Sequence, residues 1–212
     1  MAEHPAQGPV PGAAGYAEAA PRLLDRRLAF DEVHAPYLHL LPAPPSCILD
    51  IGSGPGHDAA TLAAMGHRVV AVEPEPDLLG GAIALHGESH ITWIADALPR
   101  LDAVAALGRR YDFILMSGVW MHLDETERRE AMPRVAALLT PGGVLALSLR
   151  HGPVPAGRLM FEVGGGETIA LARTCGLVPV VEARRDSIQP GNRAAGVTWT
   201  ILAFRTASGE RS

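Results

Sequence analysis

The chain has 212 residues, of which 48% are apolar, with 23 glycines, 18 prolines, two cysteines and a formal net charge of −5. This length predicts one domain with enough chain to bury a full core, and the apolar share excludes a disordered chain. The acidic balance argues against a nucleic-acid partner, which requires a basic face, and no run of about 18 apolar residues offers a membrane span.

Residues 1 to about 13 are rich in Pro, Gly and Ala and are expected to be mobile. Met1-Ala2-Glu3-His4-Pro5 lacks the basic-then-apolar pattern of a signal peptide. With Cys47 and Cys175 read as buried free thiols, this points to the cytoplasm. Residues 15–41 carry apolar positions at helical spacing, broken by Pro21 and Pro36. They predict two short helices that bury Leu23, Leu24, Leu28, Val33, Leu38 and Leu41. Beyond them the pattern alternates. Strands are predicted at 46–51, 68–73, 90–94, 112–117, 143–149, 177–184 and 197–205. Helices are predicted at 57–65, 76–86, 124–139 and 166–175, with a further short one within 98–107. Such alternation predicts a parallel sheet covered on both faces. The last two strands are joined through Gln189-Pro190-Gly191-Asn192 with no helical pattern, which predicts an antiparallel hairpin. All eighteen basic residues are arginine, a bias read as that of a GC-rich bacterial genome. The lack of lysine rules out lysine bases and Schiff bases.

The most informative stretch is Ile48-Leu49-Asp50-Ile51-Gly52-Ser53-Gly54-Pro55-Gly56, followed by Val69-Val70-Ala71-Val72-Glu73. An apolar strand enters a turn with glycine at every second position, a helix follows, and a second strand ends on a carboxylate. Glycine lets backbone approach a ligand where a Cβ would collide. An acidic residue one βαβ unit later is placed to grip a ribose diol. A dinucleotide fingerprint reads G-x-G-x-x-G, whereas this one reads D-x-G-x-G-x-G, with His57 where the third dinucleotide glycine would fall. Asp96 and Ser117 then lie at the ends of the third and fourth predicted strands, on the edge where open α/β sheets bind ligands. A Thr140-Pro141-Gly142-Gly143 turn precedes the fifth. As a set these residues resemble the class I S-adenosylmethionine-dependent methyltransferases.

The resemblance covers roughly residues 15 to 205. It implies a Rossmann-like, doubly wound, mostly parallel seven-stranded sheet with an antiparallel last strand and an N-terminal helical cap. The divisions are a flexible segment 1–14, a cap 15–45 and a cofactor-binding methyltransferase domain 46–207. The cofactor implied is S-adenosylmethionine, with S-adenosylhomocysteine as product. On this resemblance Asp50 fixes the loop and helps hold the ammonium group, while Gly52, Ser53 and Gly54 let the methionine part lie against backbone. Glu73 accepts from both ribose hydroxyls, and Pro74 offers the adenine an apolar edge. Asp96 accepts from the exocyclic amine, the Ala97 N–H meets a ring nitrogen, and Ser117 lines the same edge. Plainer roles compete: an exposed strand-end charge for Glu73, and a helix N-cap for Asp96. Asp58 is read as a first-turn carboxylate favoured by the helix dipole.

Methyl transfer is an in-line displacement at a sulfonium. Alignment supplies on the order of 7–11 kcal/mol at best, and a base adds about 10²–10⁴-fold where a proton must leave. The candidate catalytic residues are His122, after the fourth strand, and His151 and Arg150, at the end of the fifth; each histidine also reads as a packing residue. Trp120 and Met121 are either a pocket wall or core. Arg150, joined by Arg158, would repel a sulfonium unless an anion lay between them, which predicts an acid group on the acceptor. The competing reading pairs Arg150 with neighbouring carboxylates. Tyr16, Arg22, Arg26, Phe30, His34 and Tyr37 of the cap are disposed to cover the cofactor. Tyr16, Phe30, Trp120 and Arg158 are assigned to the acceptor.

The acceptor expected is a small molecule methylated on oxygen or nitrogen, and the chain a monomer or homodimer. No paired histidine spacing suggests a metal site. Ser117-Gly118-Val119-Trp120 departs from the Asn- or Asp-Pro-Pro-aromatic motif of amino-adenine methyltransferases. Neither cysteine stands where pyrimidine C5 methylation needs one. Three alternatives remain: an RNA- or protein-directed methyltransferase, a nicotinamide-dependent oxidoreductase, and a non-catalytic S-adenosylmethionine-binding partner protein. The acidic balance opposes the first, the glycine spacing the second, and the intact cofactor residues the third in part.

Overall fold

The structure, a computed structural model, describes residues 10–87 and 90–207. Seven strands form one sheet: β1 Cys47–Ile51, β2 Arg68–Val72, β3 Ile91–Ile94, β4 Tyr111–Met116, β5 Leu139–His151, β6 Leu177–Asp186 and β7 Thr198–Thr206. Their order is β3-β2-β1-β4-β5-β7-β6. The first five pair in parallel, and β7 runs antiparallel to both β5 and β6. This is the Rossmann-like, mostly parallel arrangement with an antiparallel closure. Strand order reverses between β1 and β4, so a crevice opens beyond their carboxyl ends.

Strand alternation divides the core into two layers. Leu49, Val70, Ile114, Leu145 and Leu147 point to one face, where they meet Trp120 and Met132. Ile48, Val69, Phe113 and Leu115 point to the other, against Ala59, Leu62 and Tyr37. The helices are α1 Tyr16–Asp25, α2 Phe30–His34, α3 His57–Ala64, α4 Pro76–His86, α5 Asp102–Ala106, α6 Glu125–Ala137, α7 Gly165–Thr174 and α8 Pro190–Ala194. Asp124 and Glu127 form a reciprocal capping box at the start of α6. One turn in, the buried Arg128 pairs with Glu167 of α7 at 2.9 Å. None of the helices among the described residues is long and apolar enough to cross a membrane.

Several expectations are corrected. Pro21 does not break the first helix but lies inside α1 on its exposed side. There, packing of Ala20 and Leu23 on Leu78 of α4 outweighs one lost backbone bond. Leu28, expected on a buried face, is 37% exposed in the link between α1 and α2. Pro141-Gly142-Gly143 lies within β5 as an irregularity, with pairing to β4 on both sides of it. The joint between β6 and β7 contains the one-turn helix α8, because Pro190 suits a first helical position. Of the segment expected to be mobile, residues 1–9 lie outside the described residues. Pro11–Ala13 form a 3-10 turn whose Gly12 packs against His122.

Candidate active site

A cavity of about 430 Å³ opens beyond β1, β2, β4 and β5 and is bordered by residues of α1 and α2. Its floor is the glycine loop after β1. The Gly52 and Ser53 N–H groups both donate to the Val72 carbonyl, at 2.8 and 2.9 Å, which bends the loop over the end of β2. Gly52 has φ +69°, and a Cβ there would stand 2.5 Å from Val119 Cγ2. Gly54 has φ +53°, but a Cβ there would meet nothing within 4 Å. The first glycine is thus demanded by packing as well as backbone, while the second presents bare backbone to open space.

Glu73, at the end of β2, is buried. Its Oε2 accepts from the Gly54 N–H at 2.8 Å and its Oε1 from the Glu75 N–H at 2.9 Å. Burial pushes its carboxyl up to about 7, against the pull of those two bonds. Asp50 is 2% exposed, and its Oδ2 has no partner, as is true of Ser53 Oγ. Burial, then the charges of Asp58 and Glu73, hold the Asp50 carboxyl well above the usual carboxylate range. Two orphaned buried polar atoms on the cavity floor are costly without a ligand. A group bearing an ammonium and hydroxyls would satisfy them, so the donor set fits S-adenosylmethionine.

Asp96 accepts from the Ala97 N–H at 2.8 Å and from the Val104 N–H of α5 at 3.0 Å. It therefore serves the helix as well as the cavity, and the Ala97 N–H is engaged within the protein. Ser148 of β5 accepts from the Gly118 N–H at 2.9 Å and holds the turn after β4.

On the opposite wall, His122 donates through Nδ1 to the Leu159 carbonyl at 2.6 Å. Its Nε2 then accepts from the Tyr16 hydroxyl at 2.9 Å. Burial lowers its pKa, which favours the neutral ring. Both nitrogens are engaged, and His122 positions Tyr16 rather than presenting a free base. The Arg158 guanidinium stacks on the Tyr16 ring, 3.2 Å from its centroid. Arg150 donates to the Pro153 carbonyl at 2.7 Å. None of the ion pairs among the described residues includes Arg22, Arg26, Arg150 or Arg158. The expected alternative, Arg150 tied to a neighbouring carboxylate, is therefore not found.

Asp50, Gly52, Ser53, Gly54, Glu73, Pro74, Asp96, Ala97 and Ser117 all line the one cavity, with His122, Arg150, Tyr16 and Arg158. Three proposed residues are not brought to it. His151 follows Arg150 on a strand, so it points to the other face, where Nε2 meets Thr200 Oγ1 at 2.8 Å. Trp120 is fully buried in the core. Phe30 instead packs edge-on against His34, ring centroids 4.5 Å apart. Other residues went unremarked. His34, read only as part of the cap, bonds the Tyr37 hydroxyl at 2.5 Å and Asp58 at 2.9 Å, which ties the cap to the first turn of α3. Arg185 holds the Glu32 and Val33 carbonyls at the end of α2. Trp199, paired opposite Arg150, borders the cavity because β7 runs antiparallel and starts at the ligand edge.

Residues 16–179 match the family model described as a methyltransferase domain. An uncharacterized methyltransferase of Mycobacterium bovis is 30% identical over 119 residues, covering 53% of this chain and 58% of its own length. The chain thus spans a little over half the length of that curated relative. Among solved structures, the 1,6-didemethyltoxoflavin-N1-methyltransferase of Burkholderia thailandensis, with 1,6-didemethyltoxoflavin and S-adenosylhomocysteine bound, is similar at 25% identity and a TM-score of 0.69. That match covers 91% of this chain and 86% of the other. The N-methyltransferase NodS of Bradyrhizobium japonicum shares the fold at 22% identity and a TM-score of 0.67, over 90% and 98% of the two chains. With the strand order, the glycine loop and the strand-end carboxylates in place, the chain belongs to the methyltransferase domain family, within the class I S-adenosylmethionine-dependent methyltransferases.

Proposed function

We propose that this protein is an S-adenosylmethionine-dependent methyltransferase acting on an oxygen or nitrogen of a small molecule that carries an acid group. The observation that carries the cofactor half is the pair of unpartnered buried atoms, Asp50 Oδ2 and Ser53 Oγ, beside the open space at Gly54. When bound, the cofactor supplies a methyl group activated by the positive sulfonium. Asp50 and Ser53 bind its amino-acid end, Glu73 its diol, and Pro74 and Asp96 border its base. The cap excludes water from the reacting atoms, and the wall of Tyr16, Arg150 and Trp199 orients the acceptor. With both nitrogens of His122 engaged, the transfer rests on alignment more than on a protein base, which suits a neutral amine or an already ionised oxygen.

The protein is titrated calorimetrically with S-adenosylhomocysteine and, in parallel, with NAD. Methyl-labelled S-adenosylmethionine is then followed into a fractionated bacterial extract. Binding of S-adenosylhomocysteine alone, with label in small molecules, supports the proposal. Label in RNA or protein would reassign the acceptor, and NAD binding would replace the cofactor.

A further inference from the structure

We propose that Arg150 and Arg158 form a binding site for an oxyanion of the acceptor, a carboxylate or phosphate that is not itself the methylated group, with the Tyr16 ring as the platform that aims Arg158. The name of the ligand rests on the methyltransferase reading; the anion site stands on side chains alone.

The Arg158 guanidinium carbon stands over the Tyr16 ring, 3.2 Å from its centroid, and its Nη1 is buried with no hydrogen-bond partner. A planar guanidinium stacked on one face keeps its in-plane fork of N–H groups free for a planar or tetrahedral oxyanion. The platform is itself held, since Tyr16 donates to a His122 whose other nitrogen is anchored on Leu159. Leu159 directly follows Arg158, so the chain that carries the cation is tied to the histidine that fixes its platform.

Arg150 comes from the end of β5 and commits Nη1 to Pro153. Both arginines line the same cavity as Tyr16 and act on its phenol together with Glu73 and Arg26. Burial lowers both guanidinium pKa values, and Arg22 adds repulsion at Arg158. Glu18 favours the Arg158 cation but forms no ion pair with it. Both cations line the one cavity and neither is in an ion pair with a carboxylate, and an anionic ligand is the missing partner.

That anion is distinct from the amino-acid end of the cofactor. Protein already saturated with S-adenosylhomocysteine, whose own carboxylate is then in place, separates the two in the titration below. An oxyanion held by two guanidinium groups also has its lone pairs directed at N–H donors, which makes it a poor nucleophile. Methylation therefore falls on another atom of the same molecule. The bound anion would in turn shield the sulfonium from Arg150 and Arg158.

Protein saturated with S-adenosylhomocysteine is titrated with benzoate, phenyl phosphate and neutral benzamide. The variants are Arg150→Gln, Arg158→Gln and Arg158→Lys, each checked by thermal melting. At least one anion is expected to bind while benzamide does not, and whichever binds identifies the acid as carboxylate or phosphate. Either glutamine variant is expected to weaken that binding about ten- to hundred-fold. Arg158→Lys, which keeps the charge but loses the flat fork, should fall between. Affinity for S-adenosylhomocysteine should stay within about twofold, as for a separate part of the cavity. Equal binding of benzamide, no binding of either anion, or unchanged affinity in both glutamine variants would overturn the site. If S-adenosylhomocysteine does not bind, the methyltransferase reading falls, and the same titration on the free protein still decides the anion site.

Discussion

The phenolic O–H of Tyr16 donates to Nε2 of His122 at 2.9 Å, joining helix α1 to the turn after β4 across 106 positions of the chain. In this direction the bond needs a neutral His122; on protonation Nε2 becomes a donor and the Tyr16 hydroxyl must turn to accept from it. Burial depresses the folded pKa of His122 below 6.5. Its contribution to stability is therefore complete above that value and is lost as pH falls through the folded pKa. Methyl transfer should show no His122 inflexion above pH 7 and should decline on the acid side as the Tyr16 hydroxyl is turned by the protonated ring. Tyr16→Phe should cost about 1 kcal/mol of stability and shift or flatten that acid limb. A pH–rate profile of both proteins, with the His122 titration followed by NMR, checks this.

Glu73 should make the ligand-free protein less stable as the solution becomes more alkaline. Its carboxyl titrates near 7 when folded, against an ordinary 4.5. Between those values the folded state holds the extra proton, so stability is highest at the acid end and falls through the window by about 3 kcal/mol. Asp50 acts in the same direction. Chemical denaturation at pH 5 and pH 8 should show the decline, and Glu73→Gln should flatten it. The same substitution should weaken S-adenosylhomocysteine by about tenfold or more, since the amide offers one acceptor in place of two.

Gly52 and Gly54 should fail differently when replaced by alanine. Gly52→Ala drives a Cβ to within 2.5 Å of Val119 and should destabilise the fold by about 2–3 kcal/mol, strain included. Val119→Ala in the same chain should recover part of that loss. Gly54→Ala meets open space, so only the left-handed backbone is penalised, by about 1–2 kcal/mol. Its Cβ would project toward the ligand, so product binding should fall further than stability. Paired melting curves and calorimetry separate the two.

The His34 side chain bridges Tyr37 and Asp58 and should govern closure of the cap. His34→Ala removes both bonds and leaves the buried Tyr37 hydroxyl without its partner, a loss of about 2–3 kcal/mol. Limited proteolysis should then cut faster in the link between α1 and α2, around residues 26–29. Arg185 still holds the end of α2 in that variant, so adding Arg185→Ala should accelerate cleavage again.

Much of the fold was legible from local pattern. Buried parallel strands are continuous apolar runs, and Gly52, Gly54 and Glu73 mark strand ends that border the cavity. The glycine loop and Glu73 lie within one βαβ unit, Asp96, Ala97 and Ser117 follow later strands on the same edge, and the family resemblance assigned all nine cofactor-side residues their roles. The acceptor wall obeys other rules. Whether Arg150 or its neighbour His151 faces the cavity is set by a one-residue strand phase. Trp120 and Met121, neighbours in a single 3-10 turn, are both buried in the core, but only Met121 also borders the cavity. The joining of Tyr16 to His122 and Arg158, and of His34 to Asp58, depends on how α1 and α2 settle over the sheet. The entry of Trp199 depends on the antiparallel return of β7. Local periodicity carries no information on pairs so far apart in the chain. The sequence by itself determined the fold class and the cofactor edge, because both follow from backbone periodicity and strand-end chemistry. Only the tertiary structure decided which side chains form the proposed acceptor wall, because their proximity arises when separate elements pack.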